Sequence, residues 1–167
     1  LQFMKNIVLD SNDIENKISR ISFEIIEKNF DKDEIIVVGL LPNGRYISNE
    51  ICNIINANSN ISTQIVYFKI DTLNNQITCE DSEFNFDKFK DKIILVIDDV
   101  MNTGSTMIYA LKKILNYSPN KIQVGVLIER NYKNFPIVPD FKGIELSTLQ
   151  DEHVEVKLGN SPKVLII

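Results

Sequence analysis

Apolar residues recur at Ile14, Ile18, Ile21 and Ile25, in steps of four, three and four that place them on one face of a helix. Asn12, followed three residues later by Glu15, resembles a capping box, so the spacing predicts a helix that starts there and ends near Asn29. After the polar link 31–34 comes Ile35-Ile-Val-Val38, a β-branched run too short for a buried helix and bounded by Gly39, which predicts a buried strand. From Gly44 onward Ile47, Ile51, Ile54 and Ile55 mark a second helix that fades into a polar turn at 56–60, and 64–70 reads as a second strand. Lys92-Ile-Ile-Leu-Val-Ile97 is the clearest buried strand. It runs into Asp98-Asp-Val-Met-Asn-Thr-Gly-Ser-Thr106 and then a helix patterned by Met107, Ala110, Leu111, Ile114 and Leu115. A strand at 121–128 completes a βαβ unit, and 144–146, 154–158 and 164–167 read as late, edge-type strands. Residues 71–92 break the pattern: they are rich in Asp, Asn, Lys and Thr yet carry Phe84, Phe86 and Phe89, the signature of a long surface excursion with partial order. The order of elements predicts a doubly wound α/β domain with a mostly parallel sheet and no internal repeat or linker.

A length of 167 residues makes one domain the expectation, and a hydrophobic share of 44% with only 6 Gly and 5 Pro excludes disordered and low-complexity classes. Eighteen Lys and Arg against 23 Asp and Glu leave a net charge of -5, which disfavours nonspecific attraction to a nucleic-acid backbone. The scattered lysines Lys112, Lys113, Lys121, Lys133 and Lys142 read as a solvated face rather than an RNA-binding patch. Cys52 and Cys79 form no disulfide framework and no zinc spacing, so the expectation is two reduced thiols in the cytoplasm. No run approaches the roughly 18 apolar residues of a membrane span, and the first residues lack a secretory cleavage pattern. Met4 is read as the natural start, and Leu1 to Phe3 are set aside.

In doubly wound sheets ligands sit beyond the carboxyl ends of the strands, and three turns there have unusual composition: 39–45, 71–75 and 98–106. Asp98 and Asp99 end an apolar strand, an expensive place for charge unless a metal, hydroxyl groups or backbone donors satisfy it. Thr103-Gly104-Ser105-Thr106 opens a helix, where small residues, backbone N–H groups and the helix dipole favour an anion. Singly, an acid pair is commonly a solvated turn or cap, and such a tetrapeptide a plain helix start. Together they specify a sugar phosphate, with ribose hydroxyls donating to the carboxylates and the 5-phosphate in the cradle. Reading Gly39 to Gly44 as a nucleoside-triphosphate loop fails, because Arg45-Tyr46 replaces the required Lys and Ser/Thr.

Val96-Ile-Asp-Asp-Val-Met-Asn-Thr-Gly-Ser-Thr106 resembles the phosphoribosyl-pyrophosphate signature of type I phosphoribosyltransferases. The order and spacing of 18–29, Val37-Val-Gly-Leu-Leu-Pro-Asn-Gly-Arg-Tyr46, Val126-Leu-Ile-Glu-Arg130 and Phe135-Pro-Ile137 are similar to the pyrimidine-operon attenuator and uracil phosphoribosyltransferase group. The resemblance implies a single phosphoribosyltransferase domain over 1–167, with a flexible lid at about 71–92 and a small hood formed by N-terminal residues and about 143–167. It implies transfer of ribose 5-phosphate from phosphoribosyl pyrophosphate to a nucleobase, uracil foremost, with Mg2+ as cofactor and a homodimer or higher oligomer. Asp98 and Asp99 would be catalytic and would reach Mg2+ through substrate hydroxyls or water. Asn102, Thr103, Gly104, Ser105 and Thr106 would bind the 5-phosphate, and Pro42, Asn43, Gly44 and Arg45 would face pyrophosphate, with a cis bond at Leu41-Pro42. Lys69 and Asp71 lie at the lid root, within reach of pyrophosphate and metal, and His153 in Gln150-Asp-Glu-His-Val154 reads as a surface residue within the hood.

The chain departs from the group in four places. Pro42-Asn43-Gly44 stands where the group has Thr-Arg-Gly, with Arg45 one position after the glycine; Asn102-Thr-Gly-Ser-Thr106 replaces Tyr-Thr-Gly-Arg-Thr; the group's Tyr-Arg-Asp-Asp near the lid has no clean counterpart around Lys69-Ile-Asp-Thr-Leu-Asn74; and Leu149-Gln-Asp-Glu152 replaces Ser-Lys-x-Glu in the hood. A regulatory module that senses phosphoribosyl pyrophosphate or nucleotide and binds RNA is therefore one alternative, and a transferase for a purine base another. A phospho-acceptor receiver domain is a third, but its acid pair belongs near the first strand.

Overall fold

The computed structural model describes residues 6–149 and 151–167; Leu1 to Met4, where the start is expected, and Gln150 lie outside the described residues. Among the described residues nine strands and three helices follow in the order β1 (Asn6–Leu9), α1 (Ser11–Lys28), β2 (Glu34–Leu40), α2 (Gly44–Asn58), β3 (Ser62–Asp71), β4 (Gln76–Cys79), β5 (Ile93–Met101), α3 (Ser105–Leu115), β6 (Lys121–Arg130), β7 (Phe141–Leu146), β8 (Val154–Lys157) and β9 (Lys163–Ile166), with a 3₁₀ turn at Phe86–Phe89. The central sheet runs β4-β3-β2-β5-β6-β7, parallel throughout except for β4, which folds back on β3 with Phe68 opposite Cys79.

From β2 the chain crosses through α2 to β3 on one side, and from β5 through α3 to β6 on the other. Because parallel crossovers share one hand, the reversal puts α2 and α3 on opposite faces and leaves a crevice where β2 and β5 lie side by side. Helix α1 joins α2 over a core of Ile14, Ile18, Ile21, Ile25, Ile47, Ile51 and Ile55; α3 covers the other face with Met107, Ala110 and Ile114. The apolar periods of the three helices are thus their buried faces. The cap of α1 lies two residues before the expected one: Asp10 accepts from the Asp13 amide, and Asp13 in turn accepts from the Asp10 amide. Helix α2 continues to Asn58, through part of the expected polar turn.

The last two strands do not extend the main sheet. β8 and β9 pair antiparallel with each other and with β1, forming a separate three-stranded sheet against the α1 and α2 side through Leu9, Val154 and Val164. Residues 71–92 are ordered more fully than their composition predicts. β4 adds an edge strand, and Phe84, Phe86 and Phe89 gather around Phe68 and Tyr117 with ring centroids 5.1–6.4 Å apart. No helix among the described residues is long and apolar enough to cross a membrane. Both cysteines are free, and burial pushes the Cys52 thiol up to about 11, which leaves it inert.

Candidate active site

β5 outruns its neighbour. Its last partner on β2 is Gly39, opposite Ile97, whereas its pairing with β6 continues through Asp98, Val100 and Met101. Asp98 to Met101 are therefore strand rather than turn, and one edge of that strand faces the loop that follows β2. That loop lies close: a Cβ on Gly44 would stand 2.8 Å from the Ile97 carbonyl oxygen, so only glycine lets α2 begin there. The Leu41-Pro42 bond is cis, as the sequence suggests. Asn43 then reaches across, its Nδ2 donating to Asp99 Oδ2 at 2.7 Å and to the Val156 carbonyl of β8 at 3.2 Å. A single amide thus joins the first turn, the acid pair and the small sheet.

Asp99 also accepts from the Val100 amide, and Asp98 from the Asp99 amide. Desolvation, reinforced by the Asp99 charge and a hydrogen bond with Asp99, holds the Asp98 carboxyl well above the usual aspartate range. Beyond β5 the chain turns at Gly104, whose φ of 87° lies in the left-handed region and whose position against Ile137 leaves no room for a Cβ. Thr103 Oγ1 accepts from the Ser105 amide, and the Thr103 carbonyl accepts from the amides of Asn134 and Phe135. The loop after β6 therefore braces the turn from below. Asp98 and residues 100–107 line one cavity of about 250 Å³ at the N-terminus of α3.

The chain matches the phosphoribosyl transferase domain over residues 5–159. It is 34% identical over 166 residues to the Bifunctional protein PyrR of Fusobacterium nucleatum, covering 95% of this chain and 93% of that protein. The Bifunctional protein PyrR of Brevibacillus brevis is 32% identical, with coverage of 93% and 90%. The chain belongs to the phosphoribosyltransferase family. Among solved structures, the hypoxanthine phosphoribosyltransferase of Trypanosoma cruzi superposes with a TM-score of 0.76 at 13% identity, covering 92% of this chain and 87% of that one. The hypoxanthine phosphoribosyltransferase of Staphylococcus aureus gives 0.73 at 16% identity, with coverage of 89% and 80%, so the fold is shared although little sequence is.

For this phosphoribosyltransferase the structure brings together Asp98, Asn102, Thr103, Gly104, Ser105 and Thr106 around one cavity, with Asp99, Asn43 and Gly44 beside it. Arg45 is turned elsewhere: its guanidinium bonds Glu80 and lies 4.1 Å from the Tyr67 ring centroid. Lys69 is exposed on β3, with β2 between it and β5. Asp71 accepts from the amides of Leu73 and Asn74 and from the Asn74 side chain, which hold its carboxyl below the ordinary range and engage it as a turn cap. Pro42 and His153 are exposed. Sequence reasoning missed Arg130, buried at the end of β6 and bonded to Asn102. A lone Arg at a strand end carries no local signal that its side chain turns inward.

Proposed function

We propose that this phosphoribosyltransferase moves ribose 5-phosphate from phosphoribosyl pyrophosphate to uracil and releases pyrophosphate. The observation that carries the reading is the single cavity shared by Asp98 and the left-handed Gly104 turn, which sets a carboxylate pair beside a helix N-terminus at the switch point of the sheet. Ribose hydroxyls donate to Asp98 and Asp99 and favour the charged form that burial opposes. The N–H groups of residues 102–106 and the hydroxyls of Thr103, Ser105 and Thr106 take the 5-phosphate. The transition state is oxocarbenium-like, so the carboxylates stabilise developing positive charge while the site positions ribose and excludes water.

The loop at 41–45 faces the leaving pyrophosphate, the segment 71–92 acts as lid, and 143–167 with β1 forms the hood over the base. Mg2+ prefers oxygen donors and retains water, and the oxygen-only acid pair fits it through ribose hydroxyls or water. When bound, it supplies charge neutralisation on the departing pyrophosphate. The setting is the cytoplasm, where both thiols stay reduced, and a homodimer or higher oligomer belongs to the same reading. Incubating the protein with phosphoribosyl pyrophosphate, Mg2+ and each of uracil, hypoxanthine, guanine, xanthine, adenine and orotate tests it. Uridine 5-monophosphate from uracil is the expected product; nucleotide from a purine alone overturns the base assignment, and no nucleotide from any base overturns the reading.

A further inference from the structure

Arg130 is 6% exposed, and the hydrogen bonds described for its guanidinium all go to neutral oxygens. Nε donates to Thr148 Oγ1 at 2.8 Å, Nη2 to the same oxygen at 2.5 Å and to the Glu152 carbonyl at 2.9 Å, and Nη1 to Asn102 Oδ1 at 3.0 Å. The neighbouring carboxylate, Glu129, is engaged by Lys133 and Lys142 instead. A guanidinium stays charged inside proteins, and burying one is costly unless acceptors converge on it. Here they come from two places far apart in sequence: Asn102 at the start of the phosphate turn, and Thr148, Leu149 and Glu152.

The bond also settles which way Asn102 faces. Guanidinium nitrogens only donate, so the amide atom turned to Arg130 is the carbonyl oxygen, and Nδ2 is the free end. Among the described residues Nδ2 has no hydrogen-bond partner, and Asn102 lines the cavity that holds Asp98 and the Gly104 turn. Asn102 therefore meets a ligand as a donor. If the phosphate lies against the 102–106 backbone and the ribose at Asp98 and Asp99, the Asn102 side chain, tied to Thr148 and the Glu152 carbonyl by one guanidinium, is left to meet the base. We propose that Arg130 is a positioning residue for the nucleobase, holding the Asn102 amide as a donor toward a base acceptor atom and tying it to Thr148 and the Glu152 carbonyl. This rests on the phosphoribosyl reading of the site.

The test compares binding of ribose 5-phosphate with that of uridine 5-monophosphate by calorimetry, so that the difference isolates the base. Wild type is expected to bind the nucleotide more tightly than the sugar phosphate. Arg130→Lys keeps the charge but loses the planar fork, and should weaken nucleotide binding about tenfold while sugar-phosphate binding changes less than about twofold. Asn102→Ala should cost the nucleotide a similar factor, and the double variant should lose no more than either single one. Equal losses for both ligands, additive losses, or a lower melting temperature with an unchanged affinity ratio would each overturn the role of Arg130. Failure of wild type to bind ribose 5-phosphate would overturn the site reading itself, and this inference with it.

Discussion

A carboxyl held above its ordinary range by desolvation and by the Asp99 charge binds its proton more tightly in the folded chain than in the unfolded one. As pH rises from the ordinary aspartate range, the unfolded chain releases that proton first, and stability falls until the folded Asp98 has ionised too. Asp98→Asn removes this slope. Urea unfolding from about pH 4 to pH 8 should show the variant more stable than its parent at neutral pH, with the difference closing toward the acid end; parallel curves would show that Asp98 titrates normally. Combined with Asp99→Asn, the same change should lower kcat/KM by at least about a hundredfold with the fold intact, and unchanged turnover would remove both carboxylates from the chemistry. Arg45 offers a second reading at this scale. Glu80 competes for the guanidinium that would face pyrophosphate, so Glu80→Gln should lower the KM for phosphoribosyl pyrophosphate, by no more than about fivefold because the pair is exposed. A raised KM would show that Glu80 orients Arg45 rather than sequesters it. The acid pair and Gly104 were legible in the sequence because their chemistry is local. Asn43 was legible as part of the first turn but its bond to Asp99, 56 residues away, was not, and Arg130 was missed because its partner Asn102 lies 28 residues away, a separation that no spacing rule spans.

At the scale of elements, the segment between β3 and β5 combines a buried part with an exposed one. Phe89 is fully buried, Phe84 nearly so; Phe86 and Phe89 pack against Phe68 of β3 and Tyr117 beyond α3, and Phe84 packs on both of them. The turn between β3 and β4 instead exposes Leu73 at 93% and closes on the Asp71 cap. If this segment serves as the proposed lid, the exposed 71–79 hairpin would be the part that moves, while 84–90 would stay with the core. Phe89→Ala should therefore destabilise the whole domain by about 3–5 kcal/mol in urea unfolding, as a core aromatic does. A loss below about 1 kcal/mol would show that the aromatic cluster belongs to the moving part. The same contrast explains what the apolar pattern could convey. The buried strands β2 and β5 and all three helices declared themselves through period and continuous apolar runs. The small sheet did not, because β1, β8 and β9 are four residues each and Asn6 pairs with Ile166 at the far end of the chain. β8 and β9 still read as edge strands at 154–158 and 164–167, but β1 did not, and the pairing of the three into one sheet is defined only by closure of the fold.

For the molecule as a whole, charge limits its partners. A net charge of -5 opposes a polyanion, and several candidate cations are already engaged internally. Lys133 and Lys142 both pair with Glu129, Lys142 also pairs with Glu145, and Lys113 lies 4.7 Å from the Phe86 ring centroid. Releasing these lysines to an RNA backbone would strand the buried Glu129 carboxylate, whose pairing with them pulls its ionisation below the ordinary range against the opposing effect of burial. RNA binding through this face would thus begin from an electrostatic deficit that phosphoribosyl pyrophosphate avoids, since the latter needs only a helix N-terminus and a few donors at one crevice. If RNA affinity is measured across a salt series, the slope of log affinity against log salt should correspond to no more than about two phosphate contacts, and nucleotide formation should be insensitive to added RNA. A slope equivalent to six or more contacts would mean that a second copy of the chain, or a rearrangement of the Glu129 cluster, assembles a basic surface that the single chain does not display.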